Sequence, residues 1–428
     1  MTAVAAASRQ PTDWGHPRLA QRLRRRHRSE RLFRAIGLSA LVVAVGFLAL
    51  LLGTMLKDGV SGFVQTQARI DTTLDPATLE LSADRSPEAL ASANYLAVYL
   101  RDVRESLGQD GVRIASINGW TELRRRVLED PGLVGQRLTL WVPVRSEVDQ
   151  YAKGRIDVGA DPTLAPIRPE QVRAYARLEA EGRIRKAFNR TFLSAADSTS
   201  PESAGIRGAF VGSLLTILVT LALAFPVGVL AAIYLEEFAP KNRWTDLIEV
   251  SINNLAAVPS IIFGLLGLAV FLNTMGLPRS APLVGGMTLA LMTLPVIVIA
   301  ARAAIKAVPP SIREAALGIG ASRLQTVFQH VAPLALPGIL TGTIIGVARA
   351  LGETAPLLMV GMRAFIVDAP RGFTDPATVL PVQIFLWSDD VNRGFVEKTS
   401  AAILVLLAFL LAINAVAVYL RNRYERKW

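Results

Sequence analysis

The chain has 428 residues, of which 51% are hydrophobic and 19% are charged, with a mean hydropathy of +0.38. It contains no cysteine, which excludes disulfides, thiol catalysis and cysteine metal sites, and its three histidines argue against a histidine metal site. The net charge is +11, but the densest basic stretch, residues 22–34, leads directly into a long apolar run. That placement favours a membrane protein without a nucleic-acid partner.

The first half of the chain predicts one membrane span followed by a polar insertion. Residues 1–31 are interpreted as a disordered, basic cytoplasmic tail, and residues 32–56 as the first transmembrane helix, because roughly 20 apolar residues in helix cross a bilayer. Residues 57–205 contain no run that could span, and they are predicted to form an extracytoplasmic α/β domain that ends in a linker. Within it we expect helices at 86–107, 120–128 and 172–188, an edge strand containing Pro143 at 137–144, and the linker at 191–205.

Residues 206–428 are interpreted as a permease core with five further transmembrane helices. The fold class is therefore an all-α polytopic membrane protein with six spans and one inserted α/β domain. Lysine and arginine near the span ends place both termini and the loop 303–337 in the cytoplasm, and the insertion outside. The apolar runs put the five spans at 208–235, 255–272, 282–301, 338–360 and 400–420. A short amphipathic stretch from Trp244 is expected to lead into the span at 255–272.

The loop 303–337 predicts a compact helix–turn–helix at the membrane surface. Its Pro-Pro pair at 309–310 is expected to end the fourth span, and Ser311 to cap a short helix. One of the glycines at 318 and 320 is expected to end that helix in a left-handed turn. A second short helix is expected at 322–329.

The same loop carries a recognisable motif. Glu-Ala-Ala at 314–316, glycine at 320 and the ending Pro-Leu-Ala-Leu-Pro at 333–337 resemble the EAA loop of ABC importer permeases. The resemblance implies that a separate ATPase subunit is docked and coupled by Glu314, Ala315, Ala316 and Gly320. An ordinary interfacial helix is the alternative interpretation.

The chain lacks the parts of an ATPase. No Gly-x-x-x-x-Gly-Lys phosphate loop occurs in the sequence, so a Walker-type ATPase is excluded. We therefore expect no catalytic residue, no metal and no cofactor in this chain, with ATP and Mg²⁺ bound by the partner ATPase.

A second motif, Arg-Ala-Leu-Gly-Glu-Thr-Ala-Pro at 349–356, places two charges within the fifth predicted span. Arg349 and Glu353 are four residues apart and are expected to share a helix face. Charges at bilayer depth usually face a partner or a water-filled path, and a guanidinium matches a tetrahedral oxyanion. The pair is therefore interpreted as part of the substrate pathway, or alternatively as a structural ion pair. Arg302 belongs either to that pathway or to the positive-inside anchors.

This string, with Tyr-Leu-Glu-Glu at 234–237 and Val-Pro-Ser-Ile-Ile-Phe-Gly-Leu-Leu-Gly at 258–267, resembles the PstA family of phosphate permeases over about residues 206–428. The resemblance implies an inorganic phosphate importer of the bacterial inner membrane. Its partners would be a second permease (PstC-like), a dimer of ATPase subunits (PstB-like) and an extracytoplasmic phosphate-binding protein (PstS-like). The alternatives are import of another oxyanion such as molybdate or sulfate, an ATP-independent transporter or channel, and a sensory role for residues 57–205.

Overall fold

The computed structural model describes residues 17–81, 86–156, 166–363 and 365–424. They fall into two compact units, which meet along the chain between Lys57 and Asp58. Helix α1 (Pro17–Gly62) is helical through its charged residues as well as through the apolar run. The prediction of a disordered tail is therefore wrong for residues 17–31, because arginine and leucine are strong helix formers and extend the helix of the span. Residues 1–16 lie outside the described residues.

Residues 64–205, called the insertion region below, combine an antiparallel three-stranded sheet with helices. The elements are β1 (Val64–Thr73), α2 (Pro87–Ser92), α3 (Tyr95–Leu107), α4 (Trp120–Glu129), β2 (Arg137–Pro143), α5 (Ser146–Ala152), α6 (Pro169–Ala180), β3 (Ile184–Phe188) and α7 (Arg190–Ser194). The strand order is β2–β1–β3. Alternate residues of β1 point inward, where Ala68 and Ile70 pack with Leu140 and Val142 of β2 in one buried core.

Several local predictions for the insertion region are confirmed. The strand at 137–144 is β2, at an edge of the sheet as its proline requires, and the helix at 120–128 is α4. The helix expected at 172–188 is wrong in its second half. Gly182, with φ +68°, lies between α6 and a strand, so the chain reverses into β3. The expected linker at 191–205 is packed, with Phe192 and Ala204 fully buried.

The permease core, residues 206–424, is helical. Its helices are α8 (Arg207–Ile233), α9 (Arg243–Ala256), α10 (Ser260–Gly267), α11 (Pro282–Lys306), α12 (Pro310–Gly318), α13 (Arg323–Gln325), α14 (Ala332–Gly352), α15 (Ala355–Met359), α16 (Leu380–Ser388) and α17 (Gly394–Tyr424). π-helical turns extend α8 and α10 and join α13 to α14. Helix α11 lies between α8 and α14. Within the described residues, five helices are long and apolar enough to cross a membrane.

Two predicted spans differ from the structure. The third, at 255–272, corresponds to α10 and its π turn, Ser260–Thr274, which begins after Pro259. The stretch from Trp244, expected to lead into this span, is α9, and the chain bends by 100° between α9 and α10 because Pro259 cannot continue the first helix. A sixth span exists only if this bent pair counts as one. The fifth, at 338–360, begins and ends earlier. Its helix runs continuously from Arg323 to Gly352, so the separate short helix at 322–329 is its first part.

The insertion region is fixed to the start of α17 by a buried cluster of charges. Lys153 Nζ lies 2.7 Å from Asp149 Oδ2 and 2.7 Å from Glu397 Oε1. It also donates to the Val64 carbonyl at 2.7 Å. The side chains of Lys153 and Glu397 are only 8% and 4% exposed. Two carboxylates and a carbonyl thus satisfy this buried ammonium group, and the contacts join β1, α5 and α17.

Candidate functional site

The predicted coupling residues lie on α12 and on the turn that follows it. The helix begins at Pro310, one residue before the Ser311 that was expected to cap it. Gly320 has φ +89°, a left-handed conformation that glycine adopts without steric cost. Ser322 Oγ then accepts from the Gln325 amide at 3.2 Å, and Gln325 Oε1 accepts from the Ser322 amide at 2.9 Å. This capping box starts the next helix and fixes the turn.

The segment presents one acid among exposed apolar side chains. Glu314 and Ala315 are exposed, whereas Ala316 is buried against the core at 4% exposure. Four larger apolar side chains are also exposed, namely Leu317 at 48%, Ile319 at 83%, Leu324 at 59% and Phe328 at 48%. We call Glu314, Ala315 and these four residues the coupling surface. An apolar cluster left exposed beside an acid is typical of an interaction site.

Arg313 anchors α12 to the permease core. Its Nη2 and Nε atoms lie 2.6 and 3.0 Å from Glu237 Oε1. The same guanidinium donates to the carbonyls of Val308 at 2.7 Å and Ile305 at 3.0 Å. It therefore ties α12 both to the C-terminal end of α11 and to the π turn after α8. Glu237 belongs to the Tyr-Leu-Glu-Glu motif at 234–237, but no pattern in the sequence predicted that it pairs with Arg313.

Arg302 makes a second link at the same end of the core. Its Nε lies 2.7 Å from Glu236 Oε1, and its Nη2 lies 2.8 Å from Glu249 Oε2. The side chain is 16% exposed. One guanidinium on α11 thus joins the π turn after α8 to the middle of α9. These contacts account for its charge without a substrate. The two adjacent acids at 236–237 thus each hold one arginine of the segment 302–313.

Arg349 and Glu353 do not form the pair that their spacing predicts. Helix α14 ends at Gly352, and Glu353 has extended backbone, with φ −81° and ψ 120°. The expectation that the two share a helix face is therefore wrong, because the helix stops between them. Both lie in the described part of the chain, and no ion pair joins them there. Arg349 is exposed in the last turn of α14, and Glu353 is half-buried.

The break after α14 is fitted closely against α10. A Cβ atom on Gly264 would lie 2.7 Å from the Pro356 Cα and 2.8 Å from the Met359 Cβ. Only glycine permits this approach of α15 to α10. The glycine of the 258–267 motif thus positions the broken segment that carries Glu353.

Comparison with known proteins divides the chain in the same way. Residues 206–428 match the family described as "Binding-protein-dependent transport system inner membrane component", and residues 20–161 match a domain of unknown function (DUF3333). The insertion region thus lies largely outside the permease family, as the sequence resemblance implies.

Curated relatives match over about half of this chain. The "Probable ABC transporter permease protein YqgI" of Bacillus subtilis is 31% identical over 55% of this chain and 84% of its own length. The "Phosphate transport system permease protein PstA 1" of Mycobacterium tuberculosis is 32% identical over 51% of this chain and 70% of its own. The PstA of Haemophilus influenzae is 29% identical over 53% and 78%. The chain therefore belongs to the inner membrane components of binding-protein-dependent transport systems, as an ABC permease of the PstA type.

Proposed function

We propose that the chain is one of two permease subunits of an ATP-driven importer of inorganic phosphate, and that its coupling surface receives the ATPase subunit. The named relatives supply the substrate, since several are phosphate transport permeases. The observation that carries the coupling role is Arg313. It holds an exposed helix rigidly against the ends of two long helices of the core.

The geometry supports a mechanical route for coupling. Closure of the ATPase subunits would displace α12, because Glu314 and its apolar neighbours offer them an exposed surface. Arg313 would pass that displacement to α8 and α11, and Arg302 would carry it on to α9. A residue held by a bidentate ion pair transmits motion with little slack, since the planar fork fixes both distance and orientation. ATP and Mg²⁺ would be bound entirely by the partner.

Arg349 supports a pathway shared with a second permease. A guanidinium exposed to hydrocarbon costs about 2.5–3.5 kcal/mol on insertion scales. Arg349 is exposed near the end of a spanning helix and, within the described residues, has no carboxylate within ion-pair distance. A PstC-like subunit packed against this face would enclose Arg349 in a polar path, where it would hold the passing oxyanion. Glu353, half-buried beyond the helix end, would tune or gate that charge.

The arrangement implies a location and two further partners. The chain would lie in the bacterial inner membrane, with six spans and both termini in the cytoplasm, as the distribution of lysine and arginine predicts. A PstB-like ATPase dimer would bind at the coupling surface, and a PstS-like binding protein would deliver phosphate from outside.

Copurification with the ATPase subunit tests the docking role. Ile319→Asp places a charge at the most exposed apolar position of the coupling surface, and we expect it to abolish copurification. Val391→Asp is the matched control, because Val391 is 99% exposed between α16 and α17, away from α12. Equal retention of the ATPase by both variants would refute the docking role.

Uptake by the complete complex in proteoliposomes tests the substrate and the energy source. We expect phosphate uptake to require ATP and to resist competition by sulfate and molybdate. Uptake without ATP would favour a secondary transporter or channel, and stronger competition by molybdate or sulfate would assign a different oxyanion.

A further inference from the structure

The insertion region forms a basic groove where it meets the permease core. The groove encloses about 920 Å³, and the described residues that line it include five arginines and a single carboxylate, Glu122. Its walls are the outward face of the sheet, the start of α4 and helix α7, and Arg207, the first residue of α8, lies at its end. Clefts lined by one sign of charge concentrate ions of the opposite sign.

Two of the five arginines already form ion pairs with glutamates of α4. Arg125 Nη2 lies 2.6 Å from Glu122 Oε1, and its Nη1 lies 2.6 Å from Glu129 Oε1. Arg126 Nε lies 3.2 Å from the same Glu122 oxygen. The only carboxylate of the groove is therefore engaged by α4 and is not available to the other guanidinium groups.

The remaining three, Arg185, Arg190 and Arg207, are not paired with a carboxylate among the described residues. All three are exposed, and among the described residues none has a carboxylate within 4.0 Å. Like charges in one cleft repel each other unless an anion lies between them. The groove therefore gains more from a bound anion than an ordinary surface with alternating charges would.

Arg185 is also held in a fixed orientation. Its Nε and Nη2 atoms donate to Gln67 Oε1 at 3.1 and 2.9 Å, across the β1–β3 pair in which the two residues are directly opposite. The guanidinium carbon lies 4.2 Å from the centre of the Trp141 ring. These contacts leave Nη1 free to donate and reduce the entropy lost when a ligand binds.

We propose that this groove is an oxyanion site that binds phosphate groups through Arg185, Arg190 and Arg207. Guanidinium forks match the oxygen geometry of phosphate, and the described residues of the lining carry arginine but no lysine. The choice of phosphate rests on the proposed function, whereas the charge of the groove does not. Free phosphate and the phosphate of an anionic lipid headgroup share this chemistry, and the groove ends at Arg207, the first residue of the long apolar helix α8.

Phosphate binding by the full chain, without its partners, tests the proposal. The chain is placed in phosphatidylcholine nanodiscs, and inorganic phosphate is titrated at low salt by equilibrium dialysis. The triple variant R185Q/R190Q/R207Q is expected to bind at least tenfold more weakly. R190Q alone, at a side chain that forms no ion pair with another described residue, is expected to bind measurably more weakly. The control R104Q/R137Q/R173Q removes the same charge from exposed arginines of the insertion region that lie outside the groove.

The outcomes separate the alternatives. Unchanged binding in the triple variant, or an equal loss in the control, would overturn the proposal. If phosphate does not bind but the wild-type chain retains more phosphatidylglycerol than the triple variant does, the oxyanion is a lipid headgroup. If the groove arginines are needed only for capture of a PstS-like protein, the surface is a protein dock and the proposal is wrong. Groove binding that persists while ATP-driven phosphate uptake fails would place the error in the proposed function.

Discussion

The ion pair between Arg313 and Glu237 gives the sharpest test of coupling. Their side chains are 23% and 11% exposed. Breaking a fully buried pair by removing one partner costs about 3–5 kcal/mol, and a hydrogen bond to a charged group contributes about 1.5–3 kcal/mol. Because a quarter of Arg313 is open to water, we expect Arg313→Ala to destabilise the chain by about 2–3 kcal/mol.

The two single variants are not equivalent. Arg313→Ala leaves the Glu237 carboxylate without its partner and also uncaps the carbonyls of Ile305 and Val308. Glu237→Ala leaves Arg313 still bonded to both carbonyls, so its cost is smaller. The double variant should be little less stable than Arg313→Ala alone, because Arg313→Ala already removes the ion pair that Glu237→Ala would break.

Two measurements check this prediction. Thermal unfolding of the purified single and double variants measures how far their losses of stability add up. The number of ATP molecules hydrolysed per phosphate transported measures coupling in the whole complex. We expect Arg313→Ala to raise that ratio severalfold. Arg323→Ala removes an exposed arginine at the start of α13 and should leave the ratio unchanged. Strictly additive losses in the double variant, or an unchanged ratio in Arg313→Ala, would refute the reasoning.

Three further predictions concern separate parts of the chain. Arg349→Gln should reduce phosphate uptake more than tenfold while the ATPase still copurifies; full uptake would exclude the pathway role. Gly264→Ala should lower thermal stability by about 1–3 kcal/mol, because the added Cβ meets the Pro356 backbone; an unchanged melting temperature would show that α15 moves aside. Burial raises the pKa of Glu202, which accepts from Ser116 Oγ at 2.7 Å. The stabilisation from the protonated Glu202 carboxyl is therefore fully present below pH 4.5, the ordinary pKa of glutamate. It is lost as the pH rises through the higher pKa of the folded protein. Glu202→Gln should thus be more stable than wild type at pH 7 and not at pH 4, as unfolding at both pH values can check.

The sequence predicted local structure best where one short pattern decides it. Pro143 assigned β2 to a sheet edge because a proline cannot donate to a second neighbour. The helix expected at 172–188 failed in its second half because a helical apolar pattern and a partly buried strand look alike over five residues. Gly182 was the signal against it, since a left-handed glycine ends a helix.

The candidate functional residues differ in the same way in how far the sequence predicts them. Glu314 and its loop were found from a motif, and their exposure is a local property of a short helix between prolines and glycines. The link between Arg313 and Glu237 joins residues 76 positions apart, which no local pattern reveals. The expected pairing of Arg349 with Glu353 failed for the opposite reason, because spacing within a helix was assumed where the helix ends at Gly352.

The buried ammonium group of Lys153 couples the movement of the insertion region to the movement of helix α17. It is bonded to Glu397 in the first turn of α17, a helix of 31 residues that is about 46 Å long. A change in the tilt of that helix must then move the insertion region with it, because breaking the buried ion pair would leave a buried charge without a partner. Spin labels or antibodies attached to the water-exposed surface of the insertion region would therefore detect a change in the tilt of α17 within the bilayer.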